Sequence, residues 1–354
     1  MRKKNDLSWT GLKSKADEVS NTTISAEAPS NIAIVKYWGK HGMQLPNNPS
    51  VSMTLRHAVT KTHLSLDASQ EHGIRFRFEG KEQPSFLPKL EQFIDRAAEY
   101  LPLLKSFHLD ISSENTFPHS SGIASSASSM SALSMAILGA LSNLKPETEE
   151  FKRQHSFLSR LGSGSACRSA FGGWAAWGTT SDTFAVALPE VHAEFQSMKD
   201  AILIVSAGEK SVSSTAGHQL MNTHVYAETR YAQARKRTDE LVQIIKNGDI
   251  EAFVDLCEKE ALELHALMMM SDPYFILIKP NTLKIIDTIR EFRRETGIPL
   301  AFTCDAGPNV HLMYREQDAQ KVENFIEDEL KGYCENRRVI WDACGDGPVL
   351  KFGE

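Results

Sequence analysis

The sequence predicts an α+β fold of two lobes, and three observations carry that expectation. At 354 residues the chain exceeds most single small domains and suits two lobes sharing an interface. Its 41% hydrophobic and 24% charged residues supply ample core material for a soluble globule. Strand-like and helix-like stretches alternate irregularly, which argues for α+β lobes and against a doubly wound sheet. The expected division is a polar N-terminal extension (1–22), an N-terminal lobe (23–200) and a C-terminal lobe (201–354).

In chain order, residues 1–22 are polar and expected to be loosely ordered until docked. Short strands mixed with turn residues follow at Thr23–Ala28, Ser50–Thr54, His63–Leu66, Ile74–Phe78 and Phe107–Ser112. Ser125–Leu141 carries Met130, Leu133, Met135, Ile137, Leu138 and Leu141 among alanines, the pattern of a mostly buried helix with serine caps at its entrance. Ala201–Val205 is continuously apolar and reads as a buried strand. Helical periodicity runs from about Val225 to Met270 and breaks near Asn247-Gly248-Asp249. Thr282–Thr296 predicts an amphipathic helix with Leu283, Ile286, Ile289 and Phe292 on one face. Strands at Leu300–Cys304 and Val310–Tyr314 bracket a turn at Asp305, and Gln320–Leu330 is expected to close the chain as an exposed helix.

The formal net charge of −6 argues against a general grip on nucleic acid or an anionic membrane, so any phosphate site must be local. The basic start, Met1–Asp6, precedes no apolar stretch of the roughly 7–15 residues a secretory signal needs. No segment approaches the roughly 20 apolar residues of a membrane span. Cys167, Cys257, Cys304, Cys334 and Cys344 are odd in number, widely spaced and without a Cys-x-x-Cys pair. That pattern fits reduced thiols in the cytoplasm better than a disulfide frame or a zinc site, and no set of metal ligands stands out.

Four segments carry candidate chemistry. Asp305 ends a short apolar run just before a Gly-Pro turn, where a single acid or base can be held rigidly. Gly162-Ser163-Gly164-Ser165-Ala166-Cys167-Arg168 offers hydroxyls and a guanidinium, and Lys36-Tyr37-Trp38-Gly39-Lys40 offers two ammonium groups. Pro118–Ser126 is a glycine-serine turn opening a helix, where backbone N–H groups favour an anion. Together they suggest one anion-handling active site. Singly, each has a plainer explanation: Asp305 as a turn cap, Arg168 as a structural ion pair, Lys36 and Lys40 as solvated charges, the serines as helix caps. Neither Gly-x-x-x-x-Gly-Lys-Ser/Thr nor Gly-x-Gly-x-x-Gly occurs, so a P-loop or dinucleotide fold is not supported.

Pro118-x-x-x-Gly122-Ile123-Ala124-Ser125-Ser126 resembles the phosphate loop of the GHMP kinase superfamily. Ala28–Lys40, Gly162–Gly173 and Phe302–Asn309 resemble segments of the diphosphomevalonate decarboxylase family, in family order from about residue 24 to residue 314. The resemblance implies a two-lobed GHMP kinase-like fold with the active site in the cleft between lobes. It also implies ATP-dependent decarboxylation of (R)-5-diphosphomevalonate to isopentenyl diphosphate in the mevalonate pathway, releasing ADP, phosphate and carbon dioxide. Asp305 would then stand beside the 3-hydroxyl and Arg168 at the C1 carboxylate, with Tyr37, Lys40, Ser163, Gly164, Ser165 and Ala306 in the substrate site. Ser120, Ser121, Gly122, Ala124, Ser125, Ser126 and Lys210 fall in the implied nucleotide site. ATP with Mg2+ or another divalent cation is the implied cosubstrate, and a homodimer the implied assembly. Trp38 reads as a packing residue, and His265 as a helix-packing or supporting histidine.

Two departures bear on the ligands, the first on the nucleotide contacts and the second on the substrate. His119-Ser120-Ser121 replaces the family's usual threonine and alanines, and Thr215 stands where some bacterial members carry an arginine that reaches the diphosphate. 5-Phosphomevalonate therefore competes as substrate. A non-catalytic metabolite sensor on the same fold is the alternative from another class, opposed by the intact Asp305 and Arg168.

Overall fold

The structure is a computed structural model and describes residues 7–19, 22–117, 123–208 and 214–352. Its organising pair is β1 (Thr22–Val35) with β4 (Ser50–Asp67), antiparallel from Thr22 opposite Leu66 to Val35 opposite Val51. Between them, β2 (Lys40–His41) and β3 (Leu45–Pro46) form a small hairpin. The first sheet continues from β4 to β7 (His108–Asn115), then to β5 (Gly73–Phe78), which runs parallel to β7, and to β6 (Lys81–Glu82) at the edge. At its other end β4 also pairs β8 (Trp174–Trp177), which pairs β9 (Ala185–Ala187). The second sheet is antiparallel, in the order β11 (Leu300–Thr303), β12 (Val310–Tyr314), β10 (Lys199–Leu203) and β13 (Val339–Ala343). The last strand, β14 (Val349–Phe352), returns to pair with β1, so the chain beyond residue 201 also completes the first sheet.

Both long strands exceed their expected bounds for readable reasons. Burial along β1 alternates over its first residues and then becomes continuous from Ala28 to Val35. There it packs against α2 (Ser125–Leu141) as well as α6 (Ala227–Asn247) and α7 (Ile250–Met269), and a strand covered on both faces loses its period of two. Along β4 the alternation breaks at the adjacent exposed residues Arg56 and His57. The Asp342 carboxylate accepts the backbone N–H groups of Arg56, His57 and Ala58 there, so one strand passes through a kink that reads as two strands in the sequence.

Helix ends follow local chemistry. Gly248, at φ +78°, ends α6 in the left-handed conformation that a β-carbon disfavours, and Asp249 then caps α7 by accepting from the Ala252 N–H. α3 (Glu149–Gly162) was not anticipated, although the Thr148 hydroxyl caps it and Glu149 and Glu150 occupy its first turn. α1 (Leu87–Ala98) was likewise missed; its buried Leu90, Phe93, Ile94 and Ala97 have helical spacing. α4 (Ala193–Gln196) is a single turn, and α5 (Ser214–Leu220) is short.

Three expectations are corrected. The N-terminal extension is not loose over its described residues: Leu7 and Val19 are buried, and the Trp9 ring packs on Tyr100 and Phe157. In α8 (Pro280–Thr296) Leu283 faces solvent, and Ile285 joins Ile286 and Ile289 in the core. The closing helix is α9 (Ala319–Phe325) followed by a π turn at Ile326–Leu330. It is not an exposed helix, because Val322, Phe325, Ile326 and Leu330 are buried and Phe325 stacks on Phe292 at 3.9 Å.

His155 of α3 is buried beneath α2 and hydrogen-bonds the Ser131 carbonyl oxygen at 2.8 Å. Burial lowers its pKa to about 4, so it is neutral in the fold and must gain a proton when the acidified chain unfolds. Its contribution is complete above the unfolded value of about 6.5 and is lost as pH falls toward about 4. His155→Gln retains a donor for Ser131. In denaturant titrations it should shrink the stability loss between pH 7 and pH 4 by on the order of 2 kcal/mol.

Candidate active site

The four chemistry-bearing segments meet at a cavity of about 350 Å3. Two of the walls come from the end of β1 with the loop after it, and from the 3-10 turn Gly164–Ala170 after α3. The others come from the start of α2, from α1, α5 and α7, from Gln44 between β2 and β3, and from the Asp305–Ala306 turn between β11 and β12. A register shift in β1 between Pro29 and Asn31 accompanies the turn of Asn31 toward this site.

Lys36 is the main correction to the sequence expectations. Read alone it was a solvated charge, but its side chain is only 2% exposed and its Nζ lies 3.0 Å from Asp305 Oδ1. Its backbone is equally constrained. The N–H donates to Glu260 Oε2 at 2.9 Å, and the carbonyl accepts from Arg230 at 3.1 Å and from Asn48 at 2.9 Å. Glu260, fully buried, also receives Arg230 and Arg237. Those ion pairs hold its carboxyl below its ordinary pKa although burial pushes the other way.

Arg168 is also buried. Its Nε donates to Ser52 Oγ at 3.0 Å and one Nη to Asn31 Oδ1 at 3.3 Å, while Nη1 has no hydrogen-bond partner among the described residues. Burial lowers its pKa, and the charges of Cys167, Asp305 and Tyr37 oppose that shift. No carboxylate lies within ion-pair distance of it among the described residues. A buried guanidinium fixed by neutral groups, with one nitrogen unsatisfied, is prepared for an anion.

The hydroxyl-rich turn is linked to the start of α2: Ser163 Oγ lies 3.2 Å from Ser126 Oγ and 3.5 Å from Ser165 Oγ. Gly164 is required here, because a β-carbon would fall 2.7 Å from the Tyr37 hydroxyl. Ala124, just before α2, holds φ +29°, a strained conformation for a residue with a β-carbon, at the cavity wall.

Lys40 and Lys89 form a second cationic region. Lys40 Nζ donates to Gln44 at 2.9 Å, and its pKa is lowered by burial and then by Arg96. Lys89 comes from α1 and is exposed to solvent at the cavity mouth, and its pKa is lowered by the protein packed near it and then by Lys40. Neither lysine has a carboxylate within ion-pair distance among the described residues.

Of the expected site residues, Tyr37, Lys40, Ser163, Gly164, Ser165, Arg168, Asp305, Ala306, Ala124 and Ser126 line this cavity. Ser125 does not; its carbonyl accepts the Ser128 and Ser129 hydroxyls inside α2. Ser120, Ser121, Gly122 and Lys210 lie outside the described residues. Trp38 is buried as expected but also lines the cavity. His265 is buried against the Asp305 backbone, and burial followed by the charge of Lys36 lowers its pKa to about 4. Sequence reasoning missed Asn31, Lys89 and His218 as wall residues and gave Lys36 no role of its own within the Lys36–Lys40 segment. For Lys89 the signal was the apolar spacing of α1, and for Lys36 only the folded structure supplies it.

Glu260→Gln removes one charge from between two buried guanidinium groups. Unfolding free energy should fall by about 3–5 kcal/mol, read from denaturant midpoints.

Two family models match in succession: a diphosphomevalonate decarboxylase-like N-terminal domain over residues 28–187 and a mevalonate 5-diphosphate decarboxylase C-terminal domain over residues 201–343. A diphosphomevalonate decarboxylase of Debaryomyces hansenii is 34% identical over 327 residues, covering 86% of this chain and 82% of that protein. A structure of MDDEF with MVAPP, AMPPCP and magnesium aligns with TM-score 0.83 at 29% identity, covering 94% of this chain and all of that one. Mevalonate diphosphate decarboxylase from Staphylococcus aureus aligns with TM-score 0.82 at 28% identity, covering 93% of this chain and 98% of the other.

Proposed function

The chain belongs to the diphosphomevalonate decarboxylase family, and we propose that this cavity is where it converts (R)-5-diphosphomevalonate to isopentenyl diphosphate with ATP. The observation carrying the assignment is the convergence of Asp305, held by Lys36, with Arg168, a buried cation without a carboxylate partner.

The chemistry divides among these groups. The tertiary 3-hydroxyl is a poor leaving group until phosphorylated. Asp305 orients it and takes its proton as oxygen attacks the γ-phosphorus and ADP departs. Lys36 fixes the carboxylate for that task. Phosphate then leaves with the C3–O electron pair and takes the proton back from Asp305, whose restored carboxylate faces the positive character left at C3. The C1–C2 electrons form the C2–C3 double bond, and carbon dioxide is released. Arg168 holds the C1 carboxylate in the plane set by Ser52 and Asn31, aligning the bond that breaks.

Lys40 and Lys89, mutually repelling without an acid between them, suit the diphosphate end, with Ser163 and Ser165 as hydroxyl donors. Lys89 supplies a cation to the cavity where Thr215 is neutral, which favours the diphosphate over 5-phosphomevalonate. ATP would lie at the start of α2, with Ser126 and the backbone there toward its phosphates. Among the described residues no group of three or more His, Cys, Asp or Glu could hold a metal ion. A divalent cation such as Mg2+ would offset phosphate charge, with the nucleotide oxygens and hydroxyls such as Ser126 as its hard ligands. Five reduced, buried cysteines support a cytoplasmic location, and a homodimer is the assembly we propose. A lobe boundary near residue 200 is supported by the limits of the two family matches.

Purified protein given ATP and diphosphomevalonate should release stoichiometric carbon dioxide and ADP; binding without turnover would identify a sensor instead. Asp305→Asn should lower kcat at least about a hundredfold, the loss expected for a general base, while calorimetry finds substrate affinity nearly unchanged. Near-normal turnover by the folded variant removes Asp305 from the mechanism.

The specificity constant should favour diphosphomevalonate over 5-phosphomevalonate by at least about tenfold, and Lys40→Ala should shrink that ratio. The reverse order in the unmodified protein would reassign the substrate.

A further inference from the structure

His218 is a cavity wall residue to which the mechanism above gives no part. It lies on α5 and is buried, with its ring 4.3 Å from that of Tyr37 and 4.9 Å from that of Trp38. The Gly39 backbone N–H donates to its Nδ1 at 2.9 Å. An acceptor Nδ1 carries no proton, so the neutral ring must carry its proton on Nε2. Burial, and then the charge of Lys40, lowers its pKa to about 3, which keeps this tautomer neutral across the working range of pH. The ring therefore holds a proton in a known place, in a known orientation, beside the cationic region of Lys40 and Lys89.

We propose that His218 binds the substrate's diphosphate, donating a neutral Nε2–H to a phosphate oxygen while its Nδ1 fixes the Gly39–Lys40 backbone. The two functions come from opposite ring nitrogens. At Nδ1 the histidine holds the backbone segment that presents Lys40. At Nε2 it supplies a directional donor where the two lysines supply charge, and a fixed donor discriminates by position as well as by sign. The aromatic contacts with Tyr37 and Trp38 limit ring rotation, so little freedom is lost when the phosphate arrives.

This contact rests on the diphosphomevalonate assignment. His218→Asn separates the two roles, because the Asn carbonyl can replace Nδ1 as acceptor for Gly39 but cannot reach the position of Nε2. With thermal stability retained, KM for diphosphomevalonate should rise about tenfold, as for loss of one hydrogen bond to a charged group, while kcat changes less than about twofold. His218→Gln, which carries a longer amide N–H, should recover part of the loss. An unchanged KM in a stable His218→Asn variant overturns the contact.

The unmodified protein, labelled with 15N in its histidines, gives a second test that needs no variant. Diphosphomevalonate should shift the His218 Nε2–H resonance, whereas mevalonate, which has no phosphate, should leave it in place. Equal responses to the two, or none to either when calorimetry shows diphosphomevalonate bound, also overturn the contact. An unmodified protein that fails to bind diphosphomevalonate removes both the contact and the assignment beneath it. Binding and turnover with no dependence on His218 remove the contact alone.

Discussion

The site depends on the way Lys36 is held. It sits where β1 ends, yet three of its four polar attachments reach into the later part of the chain: Nζ to Asp305, N–H to Glu260 and carbonyl to Arg230. None of these partners is on β1, so Lys36 ties the end of the first strand to the Asp305 turn and to the helix pair α6–α7. Burial makes the arrangement strict. A lysine ammonium removed from water must keep its counter-charge, and Asp305 supplies it; the same pair that satisfies the lysine orients the carboxylate. Glu260 is in turn neutralised by Arg230 and Arg237, which converge on it from α6, so the helix pair below the site has an electrostatic reason for its alignment as well as an apolar one.

Beyond that pair the cavity is short of negative charge. Arg168 is held by Ser52 and Asn31, and Lys40 by Gln44, all neutral, while Lys89 stands near Lys40 with the wrong sign for attraction. Such an arrangement costs free energy in the protein alone, and a substrate with a carboxylate at one end and phosphates at the other offsets it at both ends. The net charge of −6 sharpens the point: the positive potential belongs to the cavity and is not a property of the whole surface.

Much of this was legible in the sequence, and the failures have physical causes. The Asp305 turn, the Gly162–Arg168 stretch and the Lys36–Lys40 segment are local, and each reached the cavity where the sequence placed it. What stayed hidden was long-range. Lys36 read alone as a surface charge because Glu260 and Asp305 are more than two hundred residues away in sequence. β4 read as two strands because the device that joins them, the Asp342 carboxylate, lies near the other end of the chain. The end of β1 was lost for the opposite reason, since a strand covered on both faces has no alternation to detect. The closing segment was misjudged as exposed because its four buried residues are interleaved with seven charged or amide residues over Gln320–Leu330, and short amphipathic helices of that kind show their buried side only once a partner such as Phe292 is in place.

The geometry also bears on why phosphorylation and decarboxylation can be coupled here. Asp305 is fixed on the turn between β11 and β12, whereas Arg168 is fixed against β1 and β4 through Asn31 and Ser52. In the placement proposed above, a substrate bridging them would have its 3-hydroxyl oriented by groups of the second sheet and its carboxylate by groups of the first. Phosphorylation alone would need only the former. Breaking the C1–C2 bond as phosphate departs requires both ends to be held at once, because the bond must stay aligned with the emptying orbital at C3. The Lys36 clamp and the Asp342 carboxylate bound to β4 both tie the two sheets together, so in that placement the coupling of the two chemical steps would be built into the contact between the sheets.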